Sequence, residues 1–67
     1  MTGTIKKIVS DRGFGFITRD DKGGDVFFHA SAIRNSDFVE LTTGLPVAFE
    51  LDRNDLKGPR AVNVTVQ

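Results

Sequence analysis

The sequence predicts an all-β fold, five short strands closed into a small barrel. Three observations carry this expectation. Val, Ile, Thr and Phe fall in short runs separated by Gly, Asp and Asn clusters, which is the strand-and-turn signature. Few stretches look helical. With 67 residues and no substantial helix to cover a sheet, closure hides the strand edges and lets one row of side chains per strand fill the interior.

The elements follow in order. Residues 4–9 read as a first strand rich in Ile, Val and Lys, and Ser10-Asp11-Arg12-Gly13 as a turn. Residues 14–19 form the second strand. Asp20-Asp21-Lys22-Gly23-Gly24 is a hairpin loop whose glycines accept positive φ, and residues 25–29 are the third strand. Residues 30–41 break the rhythm. Asn35-Ser36-Asp37 is turn chemistry, and the connection is expected to hold at most one short 3₁₀ turn after the third strand. Residues 45–52 are the fourth strand, with Val47, Phe49 and Leu51 alternating with Ala48 and Glu50, and Pro46 near its start, where a missing N–H is tolerated. Residues 54–59 are a loop. Residues 60–66 are the fifth strand, with Val62, Val64 and Val66 expected on one face and Asn63 and Thr65 on the other.

The length allows one domain, residues 1–67, burying only about 60% of the surface its unfolded chain exposes. At 39% hydrophobic and 27% charged residues, the composition is that of a soluble globular chain. No apolar run approaches the roughly 20 residues of a membrane span, and no signal-peptide pattern opens the chain. The absence of cysteine excludes a disulfide framework and thiolate metal sites. A cytoplasmic location is expected. Nine basic and nine acidic residues cancel, which by itself counts against nucleic-acid binding.

Face counting singles out one region. Four of the six phenylalanines lie in Arg12-Gly13-Phe14-Gly15-Phe16-Ile17 and Val26-Phe27-Phe28-His29. Strand side chains alternate between faces, so the second and third strands carry apolar residues on both, although a small barrel needs only one. Ile17, Val26 and Phe28 are assigned to the core, with Gly15 leaving room for a large neighbour. Phe14, Phe16, Phe27 and His29 are then outside. The reverse assignment would expose Ile17, Val26 and Phe28 instead, so an apolar patch remains either way. Monomeric proteins rarely expose such patches without a use; a dimer partner or a folded-back loop containing Phe38 would be other ways of covering it.

Flat aromatic rings suit the faces of unpaired bases, each stacked base contributing roughly 1–3 kcal/mol. Lys6, Lys7 and Arg12 flank the aromatics, and Lys57 and Arg60 bracket the last loop, where they would meet phosphates. The acids Asp20, Asp21, Asp37, Glu40, Asp52 and Asp55 are expected mostly in loops away from them. His29 is read as a stacking residue, and Phe38 as either packed on the barrel end or a mobile stacker. One histidine and no cysteine offer too few ligands for a metal. No nucleophile motif or phosphate-cradling loop is present, and Gly13 and Gly15 form only a G-x-G fragment. No enzyme activity, cofactor or small-molecule substrate is expected.

These same residues resemble the cold-shock domain family. Arg12-Gly13-Phe14-Gly15-Phe16-Ile17 is similar to its first ribonucleoprotein motif, K-G-F-G-F-I, and Val26-Phe27-Phe28-His29-Ala30-Ser31 to its second, V-F-V-H-F-S. Lys57-Gly58-Pro59-Arg60-Ala61-Val62-Asn63-Val64 resembles the family's G-P-x-A-x-N-V. The resemblance spans essentially the whole chain. It implies a five-stranded antiparallel OB-fold barrel that binds single-stranded RNA and DNA, often as an RNA chaperone. By motif position it implies contacts at Lys6, Phe14, Phe16, Phe27, His29 and Phe38, with Lys57 in the last loop. The departures are Lys7 where the family usually has a stacking tryptophan, Ile8 and Ala30 where it usually has aromatics, and Phe28 in place of a valine. They imply a smaller stacking platform with an added cation at one edge, and weaker, more salt-sensitive binding. The alternative function is a protein-interaction or self-associating small barrel using the same patch. A monomer is expected, with a dimer or domain-swapped pair left open.

Overall fold

A computed structural model describes residues 1–53 and 58–67. The strands are β1 (Thr2–Val9), β2 (Phe14–Arg19), β3 (Asp25–His29), β4 (Pro46–Asp52) and β5 (Arg60–Val66). They close into a barrel in the order β1-β2-β3-β5-β4. The connection after β3 holds two 3₁₀ turns, Ala30–Ala32 and Phe38–Glu40, where the sequence suggests one at most.

The barrel is antiparallel at four of its five seams, as expected, but β3 and β5 pair parallel, through Phe27↔Arg60 and Phe28↔Ala61. The reason is parity. Five strands cannot alternate direction all the way round a closed ring, so one seam must join two strands running the same way. An isolated parallel bridge, Ile33↔Val64, extends this seam beyond β3.

The core consists of Ile5, Ile17, Val26, Phe28, Leu41, Val47, Phe49, Ala61 and Val64. Ile17, Val26 and Phe28 therefore point inward, and the reverse face assignment is excluded. Gly15 makes Phe28 possible. A Cβ at position 15 would lie 2.5 Å from the Lys7 carbonyl oxygen and 2.9 Å from two Phe28 ring atoms. β4 follows its alternation, with Val47 and Phe49 buried and Leu51 packed against the core.

Two irregularities break the two-residue period. In β1 the register passes from Ile5↔Ile17 to Lys7↔Phe16, so Lys6 is an extra residue opposite no partner. Ile5 is buried and Ile8 packs against the core, although they are three residues apart, while Lys6 and Lys7 are both exposed. A bulge resolves that conflict of phase. In β5 the register passes from Val62↔Glu50 to Thr65↔Ala48, again with one extra residue on β5, and Asn63 adopts φ 51°. This corrects the expectation that Val62, Val64 and Val66 share a face. Ala61 and Val64 are buried and Val66 packs on the core, whereas Val62 lies beyond the phase change.

Candidate nucleic-acid interface

β2 and β3 bring the predicted aromatics together. Phe14 pairs with His29 and Phe16 with Phe27 across the ladder. The ring centroids of Phe14 and Phe27 lie 5.4 Å apart, those of Phe14 and Phe16 6.0 Å, and those of Phe16 and Phe27 6.1 Å, at tilted or edge-on angles. Contacts of this kind hold rings in place by about 0.5–1.5 kcal/mol per pair. All three rings remain half-exposed and His29 is exposed, so each offers area to a flat ligand while its neighbours fix its orientation.

Cations stand at both ends of this row. The register runs Lys7↔Phe16, Phe16↔Phe27 and Phe27↔Arg60, one rung crossing β1, β2, β3 and β5. The Lys7 ammonium has no hydrogen bond or ion pair among the described residues. Arg60 reaches Asp52 at 3.4 Å. Arg12 lies exposed in the turn that leads into Phe14. Lys6 is different, since its ammonium donates to Asp25 at 2.8 Å, and Asp25 also accepts from the Thr18 hydroxyl at 2.9 Å. The Lys6 hydrogen bond, then that from Thr18, holds the Asp25 carboxyl below the usual carboxylate range. Lys6, Lys7, Phe16 and Asp25 together line a shallow depression beside the aromatic row.

The ring of His29 is fixed from its own side of the chain. The Ser31 backbone N–H donates to Nδ1 at 3.1 Å, capping the first 3₁₀ turn, and the Ser31 hydroxyl lies 3.0 Å from the same nitrogen. With Nδ1 accepting, the neutral imidazole carries its proton on Nε2.

Phe38 stands apart from the surface cluster. Its ring lies 6.3 Å from Phe28, it packs against the core, and its neighbour Val39 is 87% exposed. Of the two readings left open for Phe38, this arrangement is the packed one. Of the three departures from the family's aromatics, Ile8 packs on the core, Lys7 is exposed at the end of the row and Ala30 is half-buried next to His29. Lys57 lies outside the described residues.

Two acids belong to this region that the sequence reading places elsewhere or passes over. Asp52 ends β4, as the strand bounds 45–52 expected, but it lies against a cation, 3.4 Å from Arg60. Asp25 sits among the lysines, and its signal was present: it shares the alternating face of Phe27 and His29 on β3. Among the described residues no group of three or more His, Cys, Asp or Glu could hold a metal ion, and no helix is long and apolar enough to cross a membrane.

The whole chain, residues 1–67, matches the 'Cold-shock' DNA-binding domain family. It is 47% identical over 64 residues to the cold shock-like protein of Aquifex aeolicus (strain VF5), and 48% identical over 64 residues to the cold shock-like protein CspI of Escherichia coli (strain K12), in each case covering 96% of this chain and 90% of the relative. It is 45% identical to the cold shock protein of Arthrobacter globiformis, covering 96% of this chain and 94% of that one. An all-strand closed barrel, a surface of clustered phenylalanines between cations, and similarity along nearly the full length of these relatives agree: the chain belongs to the cold-shock domain family, a family of non-enzymatic nucleic-acid-binding proteins.

Proposed function

We propose that this protein binds single-stranded RNA and DNA by stacking bases on Phe14, Phe16, Phe27 and His29, with phosphates met by Lys7, Arg12 and Arg60, and that it works in the cytoplasm as a single-domain, monomeric RNA chaperone or regulator of transcription or translation. The observation that carries this reading is the rung from Lys7 through Phe16 and Phe27 to Arg60, two rings between two cations on an exposed sheet face. Bases in a duplex are already stacked on each other. An exposed row of rings therefore gains most from unpaired bases, and capture of these shifts weak hairpins toward the open strand without ATP. Lys6 contributes a phosphate contact that its pair with Asp25 partly neutralises, Phe38 supports the barrel end beside Phe28, and Lys57 acts by its motif position in the last loop.

The test is titration of a labelled single-stranded oligonucleotide against a duplex of the same sequence. The label is required because the chain has no Trp or Tyr. Phe16→Ala and Phe27→Ala should each weaken single-strand binding by about 1–3 kcal/mol while the barrel stays folded. Equal affinity for duplex and single strand, or binding untouched by either substitution, would overturn the reading and favour a protein partner for the same patch.

A further inference from the structure

Past His29 and Arg60 the surface turns into a concave pocket of about 170 Å³. Its polar lining comprises His29, Ser31, Arg34, Arg60 and Asn63, and Ala32 and Val62 supply apolar area. No residue lining it is acidic. It is continuous with the aromatic row, because His29 and Arg60 belong to both.

Arg34 is built into this pocket by contacts from distant parts of the chain. Its Nε donates to the Asn63 side-chain oxygen at 2.9 Å, and its backbone N–H donates to the Val64 carbonyl at 2.9 Å. Asn63 is held in turn, its Nδ2 donating to Glu50 Oε2 at 2.8 Å. The positive φ of Asn63 at the β5 bulge, 51°, accompanies an amide set between Glu50 on β4 and Arg34 on the opposite side of β5, where the chain continues the β3 seam. One corner of the guanidinium is thus fixed, while its two amino groups have no partner among the described residues. A guanidinium fixed at one edge presents its remaining N–H donors in a planar fork suited to phosphate oxygens.

We propose that this pocket binds a phosphodiester of the nucleic-acid strand where the strand leaves the Phe16–Phe27–His29 surface, with Arg34 as its principal donor and His29 Nε2–H beside it. The inference rests on the single-strand reading above and extends its path by one backbone contact across β5. The apolar area of Ala32 and Val62 suits the sugar of the same unit. A free phosphate offers the same oxygens but lacks the tether of a strand already stacked on the aromatic row, which supplies the high effective concentration.

The experiment compares wild type, Arg34→Ala and Arg34→Lys with labelled oligothymidylates of about four to about ten nucleotides, a range of single-strand site sizes found for such barrels, at two salt concentrations. Wild-type affinity should rise with length. Arg34→Ala should match wild type on the shortest strand, lose about five- to tenfold on the longest, and show a salt slope shallower by about 0.7, one single-strand phosphate contact. Arg34→Lys should restore the slope and part of the affinity. Inorganic phosphate alone should not saturate the site at millimolar concentration. Equal binding of wild type and Arg34→Ala at every length, an equal loss at every length, or saturable binding of free phosphate with no length dependence would each overturn the proposal. Failure of wild type to bind any oligonucleotide would instead overturn the stacking reading on which it rests.

Discussion

Lys7→Trp is the sharpest probe of how this surface divides its work between stacking and charge. Lys7 is exposed at the β1 bulge, opposite Phe16, and its side chain makes no hydrogen bond or ion pair among the described residues. An indole there extends the Phe16–Phe27 row without displacing the core, so the unfolding free energy should move by no more than about 0.5 kcal/mol. One added stacked base is worth about 1–3 kcal/mol, or roughly 5- to 150-fold in affinity. Against this stands the loss of one phosphate contact. Each such contact contributes a slope of about 0.7 in log K against log salt, so it weakens about fivefold for a tenfold rise in salt. The substituted protein should therefore bind a labelled pyrimidine strand more tightly, with the largest gain at high salt and a slope shallower by about 0.7. Titrations between about 20 and about 200 mM salt span this range. The new tryptophan reports binding independently through its own fluorescence. No gain at the higher salt, or a slope identical to that of wild type, would show that position 7 lies off the path of the strand and would refute this division of labour between stacking and charge.

Other expectations follow from particular contacts. Gly15→Ala should destabilise the barrel by about 1–3 kcal/mol in urea titration, because its Cβ would meet the Lys7 carbonyl and the fully buried ring of Phe28. Phe28→Ala, which empties the centre of the core, should cost about 3–5 kcal/mol by the same measurement. Asp25 has its folded-state pKa lowered by Lys6 and Thr18; its contribution to stability is then present above the unfolded carboxyl value and lost as pH falls through the folded one. Asp25→Asn should flatten the acid limb of a pH–stability profile. The same substitution releases Lys6 from its carboxylate, so oligonucleotide binding should tighten at low salt and its salt slope should steepen by about 0.7. An unchanged slope would mean that Lys6 lies away from the strand.

Alternation grouped the side chains of β2 and β3 by face, and Gly15 chose which face lies inside. Ile17, Val26 and Phe28 point inward, the remaining aromatics point outward, and Gly15 marks the space that the Phe28 ring occupies. A two-residue period is a local property of extended backbone, and an excess of apolar residues over what one interior can hold can be counted without knowing the barrel. Where the period slips, the reading by alternation fails. Lys6 and Lys7 would lie on opposite faces of a regular strand, and Val62 would join Val64 inside. Both bulges arise from pairing with a neighbouring strand, β2 for the first and β4 for the second.

By itself, then, the sequence determined the all-β class, the outward aromatic row and the family, because each of these rests on residue type and short-range spacing. Tertiary structure alone decided the parallel β3–β5 seam, the pairing of Lys6 with Asp25, the docking of Phe38 on Phe28, and the placing of Arg34 against Asn63. These depend on which strands meet when an odd-numbered ring closes. Arg34 and Asn63 are 29 residues apart, and nothing in either local sequence foretells the other; they meet because β5 runs beside β3 and carries its bulge where the chain leaves the first 3₁₀ turn.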